Sequence, residues 1–349
     1  ELLLEKDSHI LFLFQNSSEL RPSGGFVGSY ADIAINNGNL TNLDVRDIYD
    51  PDGQLDTLIV PPRPLQNLTT KWGARDANWF MDFSVSARKV AKMLELSKRY
   101  SEQNIKVSFV SVLNIKVLAD IINLTGPIYL EEYDVILTSD NFLEIIQKEV
   151  ETGENKKINK PKKILRDLTP LIISKISSFN ENDRLDLLSI IEKALNSKDI
   201  QLYSRDEHQQ NLILKYNFGG TQSLINKKDN YFAVAHSNIA GGKTDRFISR
   251  SQTFESFIDA NGEIINTILI SRTHNGTEKT LDPWYRADNQ DYAQVFMPIG
   301  SKIIEITGTS SKKIIPAIDY LKAGYATDTD VFALETGEFL DRSMIGAWT

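Results

Sequence analysis

The chain has 349 residues, no cysteine, and 39 basic against 47 acidic side chains, a net charge of −8. No disulfide, zinc–thiolate site or thiol nucleophile can therefore form, and an acidic balance without a long basic run argues against a nucleic-acid backbone as partner. A hydrophobic content of 41% fits a globular protein, and the length exceeds one ordinary core, so two domains are expected, at 1–225 and 226–349.

The chain opens abruptly on a helical ELLLEK, and both ends look cut. His9–Phe14 is a short apolar run suited to a buried strand. Val27–Asn36 alternates and pairs through the Asn37-Gly38 turn with Leu40–Ile48. The stretch from Asp50 to Lys71 reads as loop, because Pro51, Pro61, Pro62 and Pro64 remove backbone donors. Ser84 is placed to cap a helix over Val85–Tyr100. A β-branched strand over Val107–Leu113 precedes a helix over Asn114–Leu124, ended by Gly126-Pro127. Short strands at Ile128–Leu130 and Val135–Leu137 lead to a helix capped by Thr138 or Ser139 and running through Glu151. A polar linker with the basic KKINKPKK follows. Helices are expected over Pro161–Phe179, kinked or split at Pro170, and over Asp183–Ser197. Ile200–Tyr203 is a strand and Asp206–Tyr216 a helix. Interleaved strands and helices indicate an α/β layer fold. Beyond about Asn226 the character turns to antiparallel β: Tyr231–His236, Phe247–Ile258, Ile264–Arg272, Tyr292–Met297 and Lys302–Thr307 read as strands, with Asn261-Gly262 a second hairpin turn. This region either extends the first sheet or begins a β-sandwich.

Polar residues gather at the predicted strand ends. Asn16, Glu19, Arg21, Arg46, Asp47 and Asp50 flank the first two strands, and Arg21 precedes Pro22-Ser23-Gly24-Gly25, a bend suited to close approach of backbone to a ligand. Charged residues at the mouth of a sheet face solvent or a ligand, since burying them unpaired is costly. Trp72–Phe83 adds Arg75 and Asn78 ahead of a capped helix, where an arginine fork can grip phosphate or carboxylate. A salt-bridged loop cluster is the plainer account of the same residues. Asn238–Asp245 (NIAGGKTD) is no P-loop, since Ser237 stands where the motif needs glycine, and a Gly-Gly hairpin with an exposed lysine explains it. Gln147 and Glu151 share one helix face, expected to be solvated.

The blocks ILFLFQNSSELRPSGGFVGSY, VRDIYDPDGQL, ARDANWFMDFSVSARK, LTGPIYLEEYDVILTSDNF and SNIAGGKTDR resemble, in order, the bacterial domain-of-unknown-function family 4012. More distantly that family is similar to the LytR-CpsA-Psr enzymes, which transfer glycopolymers from a polyprenyl-pyrophosphate lipid to the cell wall with magnesium. The resemblance implies a layered α/β domain with a central mixed sheet, a cell-surface setting outside the cytoplasm, and a membrane anchor beyond this sequence. Arg21 falls on the arginine of their Arg-Ser-Asp-Thr motif, Arg46 and Asp47 on Pro-Arg-Asp, and Arg75 and Asn78 near Lys-x-Asn. Two departures touch the metal: Ser23 stands where an aspartate follows the first arginine, and Asn16 replaces an earlier aspartate. Magnesium favours carboxylates, so Asp47, helped by Asp50, would have to hold it. The implied roles are Asp47 and Arg46 in catalysis, and Arg21, Arg46, Arg75, Asn78 and Asn16 in binding a polyprenyl-pyrophosphate-linked glycan or another anion. A non-catalytic module that keeps the anion pocket is the alternative. Two geometric expectations follow: Arg21, Arg46 and Arg75 converge, and an apolar tunnel for the lipid lies between the sheet and the helices at Val85–Tyr100 and Asn114–Leu124.

Overall fold

The computed structural model describes residues 8–157, 160–222, 229–279 and 281–349; the ELLLEK segment and the expected 225/226 boundary fall outside them. Strands β1 (Ser8–Asn16), β2 (Phe26–Asn36) and β3 (Asn39–Asp47) form an antiparallel meander turned at Asn37-Gly38. The expected loop over 50–71 contains a short helix α1 (Tyr49–Gly53) and a 3₁₀ turn at Arg63–Leu65. Helix α2 (Phe83–Leu96) is capped by Asp82, not Ser84: the Asp82 carboxylate accepts the Val85 N–H at 3.3 Å. A short α3 (Lys98–Ser101) leads into β4 (Val107–Asn114), which pairs parallel to β1. Then come α4 (Ile115–Thr125), the small hairpin of β5 (Ile128–Leu130) and β6 (Val135–Leu137), and α5 (Phe142–Thr152), which starts at Asn141 rather than at Thr138 or Ser139. After α6 (Glu154–Lys157), α7 (Lys163–Ser177) runs unbroken through Pro170, so the expected split does not occur. Its other turns are held by Ile164, Leu168 and Ile172, which bury one face. Helix α8 (Glu181–Ser197) begins in a reciprocal Asn180/Asp183 capping box. Strand β7 (Ile200–Ser204) and α9 (Glu207–Lys215) complete this half.

The main sheet has the order β3-β2-β1-β4-β7 and is mixed, as the α/β expectation required. Side chains alternate across it. Val110 and Val112 face α2, joining Leu11, Leu13, Tyr30, Val90 and Leu94 in the largest core. Leu113 faces the other way and packs on Val117 of α4 and Ile200. The helices expected to flank one apolar tunnel thus lie on opposite faces of the sheet and line no common space. On the second face, Ile122, Ile128, Leu137, Phe142, Ile146 and Ile164 form a separate cluster under α4, α5 and α7.

The later part of the chain builds its own antiparallel sheet rather than extending the first. It comprises β8 (Ala233–Asn238), β11 (Asp291–Pro298), β12 (Glu338–Phe339) and β13 (Arg342–Trp348), in the order β12-β13-β11-β8. Between them, β9 (Ile248–Ile258) and β10 (Ile264–His274) pair only with each other, and α10 (Pro283–Arg286) and α11 (Thr329–Glu335) are short. The expected strand over Lys302–Thr307 does not form; Ile304 is 81% exposed there. β-branched residues alone do not make a strand without an edge to pair with. Ala235, Phe296, Phe339 and Trp348 enter the same core as α2, with Phe80 stacked on Phe339 and Trp79 on Tyr292. The Lys89 ammonium of α2 also grips the Asp328 carboxylate at 2.6 Å in the buried interior.

Candidate functional site

The turn after β1 brings the first charges inward. Gly24 has φ +124°, a conformation open to glycine, and a methyl on Gly25 would stand 2.6 Å from the Asn16 carbonyl. The glycines therefore let the turn close on the chain's own backbone. Arg21 is 4% exposed. Its Nη1 donates to the Asn238 carbonyl at 2.6 Å and its Nη2 to Asp76 at 3.2 Å and Glu19 at 3.5 Å, while the guanidinium lies over the Phe26 ring. Arg75 donates from Nε to the other Asp76 oxygen at 3.2 Å and stacks over Tyr49. Asp76 is the hinge between the two arginines. Asp52 accepts the Ala74 N–H at 2.6 Å, and burial pushes its carboxyl up to about 6.

Arg46 stands apart from this pair. Alternation along β3 turns it to one face and Asp47 to the other. Its Nε donates to Asp44 at 2.5 Å, Arg99 donates to the same carboxylate at 2.9 Å, and Asp50 is 4.0 Å away. Arg21 and Arg75 converge as expected; Arg46 does not join them.

Asp47 faces residues that sequence reasoning assigned to a linker and a hairpin. Its carboxylate accepts the Tyr49 N–H at 3.0 Å; burial raises its pKa, opposed by that bond and by the nearby Lys162 ammonium. Lys162 lies just ahead of α7, and a methyl on Gly28 would stand 3.2 Å from its Nζ. Burial, then the neighbouring Lys243, lower the Lys162 pKa, while Asp47, Glu151 and Glu19 pull the other way. Lys243 is not the exposed lysine expected: its Nζ is 2.9 Å from Glu151 and 3.9 Å from Glu19. Burial opposes the Glu151 charge, yet Lys243, Lys156 and Lys162 together outweigh it and leave the pKa low. Burial raises Glu19 against the pull of Arg21 and Lys243. Arg21, Lys162 and Lys243 thus come from separate stretches of chain to surround Glu19, and Arg75 reaches the cluster through Asp76. Lys162 sits in the basic KKINKPKK stretch and Lys243 in NIAGGKTD, but nothing local joins either to the site, because Glu19 and Asp47 lie far away along the chain.

The two asparagines are structural. Asn78 is buried and donates to the Gly25 carbonyl at 2.6 Å, holding the glycine turn, while its Oδ1 has no hydrogen-bond partner. Asn16 accepts the Ser18 N–H at 3.0 Å and receives Gln147 at 3.4 Å. Gln147 is itself buried, bonded to Ser18 and Tyr285, so this face of α5 is not solvated as expected.

Magnesium needs several oxygen ligands in near-octahedral array. Asp50 leans to Arg46 and Asp47 to Lys162, and among the described residues no group of three or more His, Asp or Glu side chains is placed to share an ion. Asp47 and Asp50 are thus each offset by a neighbouring cation where a magnesium ion would need the carboxylates free.

Residues 5–150 match the family model described as "Protein of unknown function (DUF4012)". That stretch is similar to the DUF4012 family. It carries Asn16, Arg21, Arg46, Asp47, Asp50, Arg75 and Asn78, whereas Lys162 and Lys243 lie beyond it. Among solved structures, the chain is similar to a transcriptional regulator (EF0465) from Enterococcus faecalis, at 12% identity and TM-score 0.37 over 62% of this chain and 73% of that one. It is also similar to the transcriptional regulator yvhJ from Bacillus subtilis, at 15% identity and TM-score 0.33 over 77% of this chain and 90% of that one. Bacillus subtilis TagV superposes at 16% identity and TM-score 0.33 over 65% of this chain and 87% of that one. No curated protein matches the chain.

Proposed function

We propose that this is a cell-envelope protein that binds an anionic, phosphate-bearing ligand at the end of its main sheet, the candidate being a polyprenyl-pyrophosphate-linked glycan. The ligand would be met outside the cytoplasm, at a membrane to which an anchor beyond this sequence holds the protein, and beside the cell wall. One observation carries the reading: three cations, Arg21, Lys162 and Lys243, gather around Glu19, and Arg75 joins Arg21 on the adjoining Asp76. Arg21 is buried, with both terminal nitrogens engaged by the fold, and positions Asp76. Arg75 is partly open to solvent and, with the lysines, meets the ligand. The poor fit to magnesium favours a binding module over an enzyme.

A transferase is the second reading, favoured by Asp47, a carboxylate with a raised pKa beside a lysine and so suited to proton transfer. Calorimetric titration with pyrophosphate and with a polyprenyl-pyrophosphate analogue tests the binding reading. Wild type should bind; Arg75→Ala or Lys243→Ala should weaken binding about tenfold; Arg46→Ala should leave it unchanged. No binding by wild type under any metal condition sinks the reading. Turnover of the analogue, abolished by Asp47→Asn with binding largely kept, would move the assignment to the transferase.

A further inference from the structure

We infer that Lys162 supplies, beside Asp47, the positive charge for which a metal ion would otherwise be needed, so that the site takes a pyrophosphate-type anion without any divalent cation. This rests on the anion-binding reading above and names the residue that would anchor the ligand.

The cations of the cluster differ in how much of their charge is committed. Arg21 donates to two carbonyls and two carboxylates, Arg75 is held by Asp76, and Lys243 is paired with Glu151. Lys162 is within electrostatic reach of Asp47, Glu151 and Glu19, yet its ammonium makes no hydrogen bond or ion pair among the described residues. An ammonium with three donors and no fixed acceptor is the natural first contact for a phosphate oxygen.

Its location is enforced by the fold. The Lys162 backbone carbonyl accepts the Leu165 N–H in the first turn of α7, and α7 is anchored on the core by Ile164, Leu168 and Ile172. Gly28 leaves the ammonium room against β2, where a methyl would already be 3.2 Å from it. Burial of Lys162 beside a second lysine disfavours its charged form, and an incoming anion relieves that penalty. A divalent cation placed at Asp47 would instead be repelled by the Lys162 charge that acts on that carboxylate. One feature thus favours the anion and opposes the metal.

The test is titration of wild type, Lys162→Met and Lys163→Met with inorganic pyrophosphate, each in EDTA and in magnesium, after melting curves show the variants folded. Lys163 is the control, since it is paired outward with Asp167 at 2.6 Å. The expected result is equal wild-type affinity in both buffers, about tenfold or greater loss in Lys162→Met, and none in Lys163→Met. Should Lys162→Met not fold, reductive methylation of the wild type followed by mass spectrometry gives the same answer: pyrophosphate in EDTA should protect Lys162 and leave Lys163 reactive. Wild-type binding that requires magnesium, or Lys162→Met binding as wild type does, overturns the role of Lys162 while leaving an anion pocket in place. Wild type that binds in neither buffer removes the pocket itself, and the inference with it.

Discussion

Two hairpins in this molecule share one turn chemistry and have opposite fates. Asn37-Gly38 joins β2 to β3, and Asn261-Gly262 sits at the tip between β9 and β10; Gly38 and Gly262 have φ of +79° and +81°. The first hairpin lies in a five-stranded sheet, with Val27, Tyr30 and Val45 buried and charges collected at its end. The second pairs only with itself and leaves Phe257 64% and Leu269 60% exposed. The turn fixes which strands pair; what then packs on them decides whether a hairpin becomes core and site or remains a ribbon.

That contrast can be broken by mutation. Trp79→Ala removes a fully buried ring stacked on Tyr292, and should cost about 3–5 kcal/mol in urea unfolding. Phe257→Ala on the ribbon should stay within about 0.5 kcal/mol. Equal losses at the two positions would mean that the ribbon is part of the cooperative core. Next in size is Asp328→Ala, which strands the Lys89 ammonium in the interior and should cost about 3 kcal/mol by the same measurement. A loss below about 1 kcal/mol would show that Asp330, 2.7 Å from the same nitrogen, carries the pair.

A smaller effect separates the charged end of the sheet from the rest through pH. Asp52 titrates at about 6 in the folded chain against 3.8 as a free group, because burial disfavours its charge. Below about pH 4 it is protonated in both states and its burial costs nothing. As pH rises through 6 it ionises in the folded protein as well, and the full cost of the buried charge is present. Stability from this group is therefore lost between about pH 4 and 6, on the order of 2 kcal/mol. Asp52→Asn should flatten that part of the stability–pH curve, as followed by urea midpoints. An unchanged slope would place the titration on Glu19 or Asp47, whose pKa values are raised in the same direction.

What the sequence revealed divides along the same line. The meander, β4, α4, α8 and the second hairpin were readable because periodicity and turn residues act locally. The split at Pro170 does not form because neighbouring apolar anchors outweigh one missing hydrogen bond, and residues 302–307 were misjudged because strand composition needs a free edge. The site was half legible. Arg21, Arg75 and Asp47 carried a motif, but the opposite facing of Arg46 and Asp47 shows only once β3 is placed in the sheet. Lys162 and Lys243 were given no role in the site and acquire their place through contacts with Asp47 and Glu19, more than a hundred residues distant. Asp76, the carboxylate shared by Arg21 and Arg75, was seen beside Arg75 but given no role, because its partner at position 21 is 55 residues away.

The most direct measurement is a crystal structure of the protein soaked with pyrophosphate in the presence of EDTA. The account predicts phosphate density within hydrogen-bonding distance of the Lys162 Nζ, on the Asp47 face of β3, with Arg75 or Lys243 as a further contact. Density on the opposite face, between Arg46 and Arg99, or an empty site at saturating pyrophosphate, would contradict it.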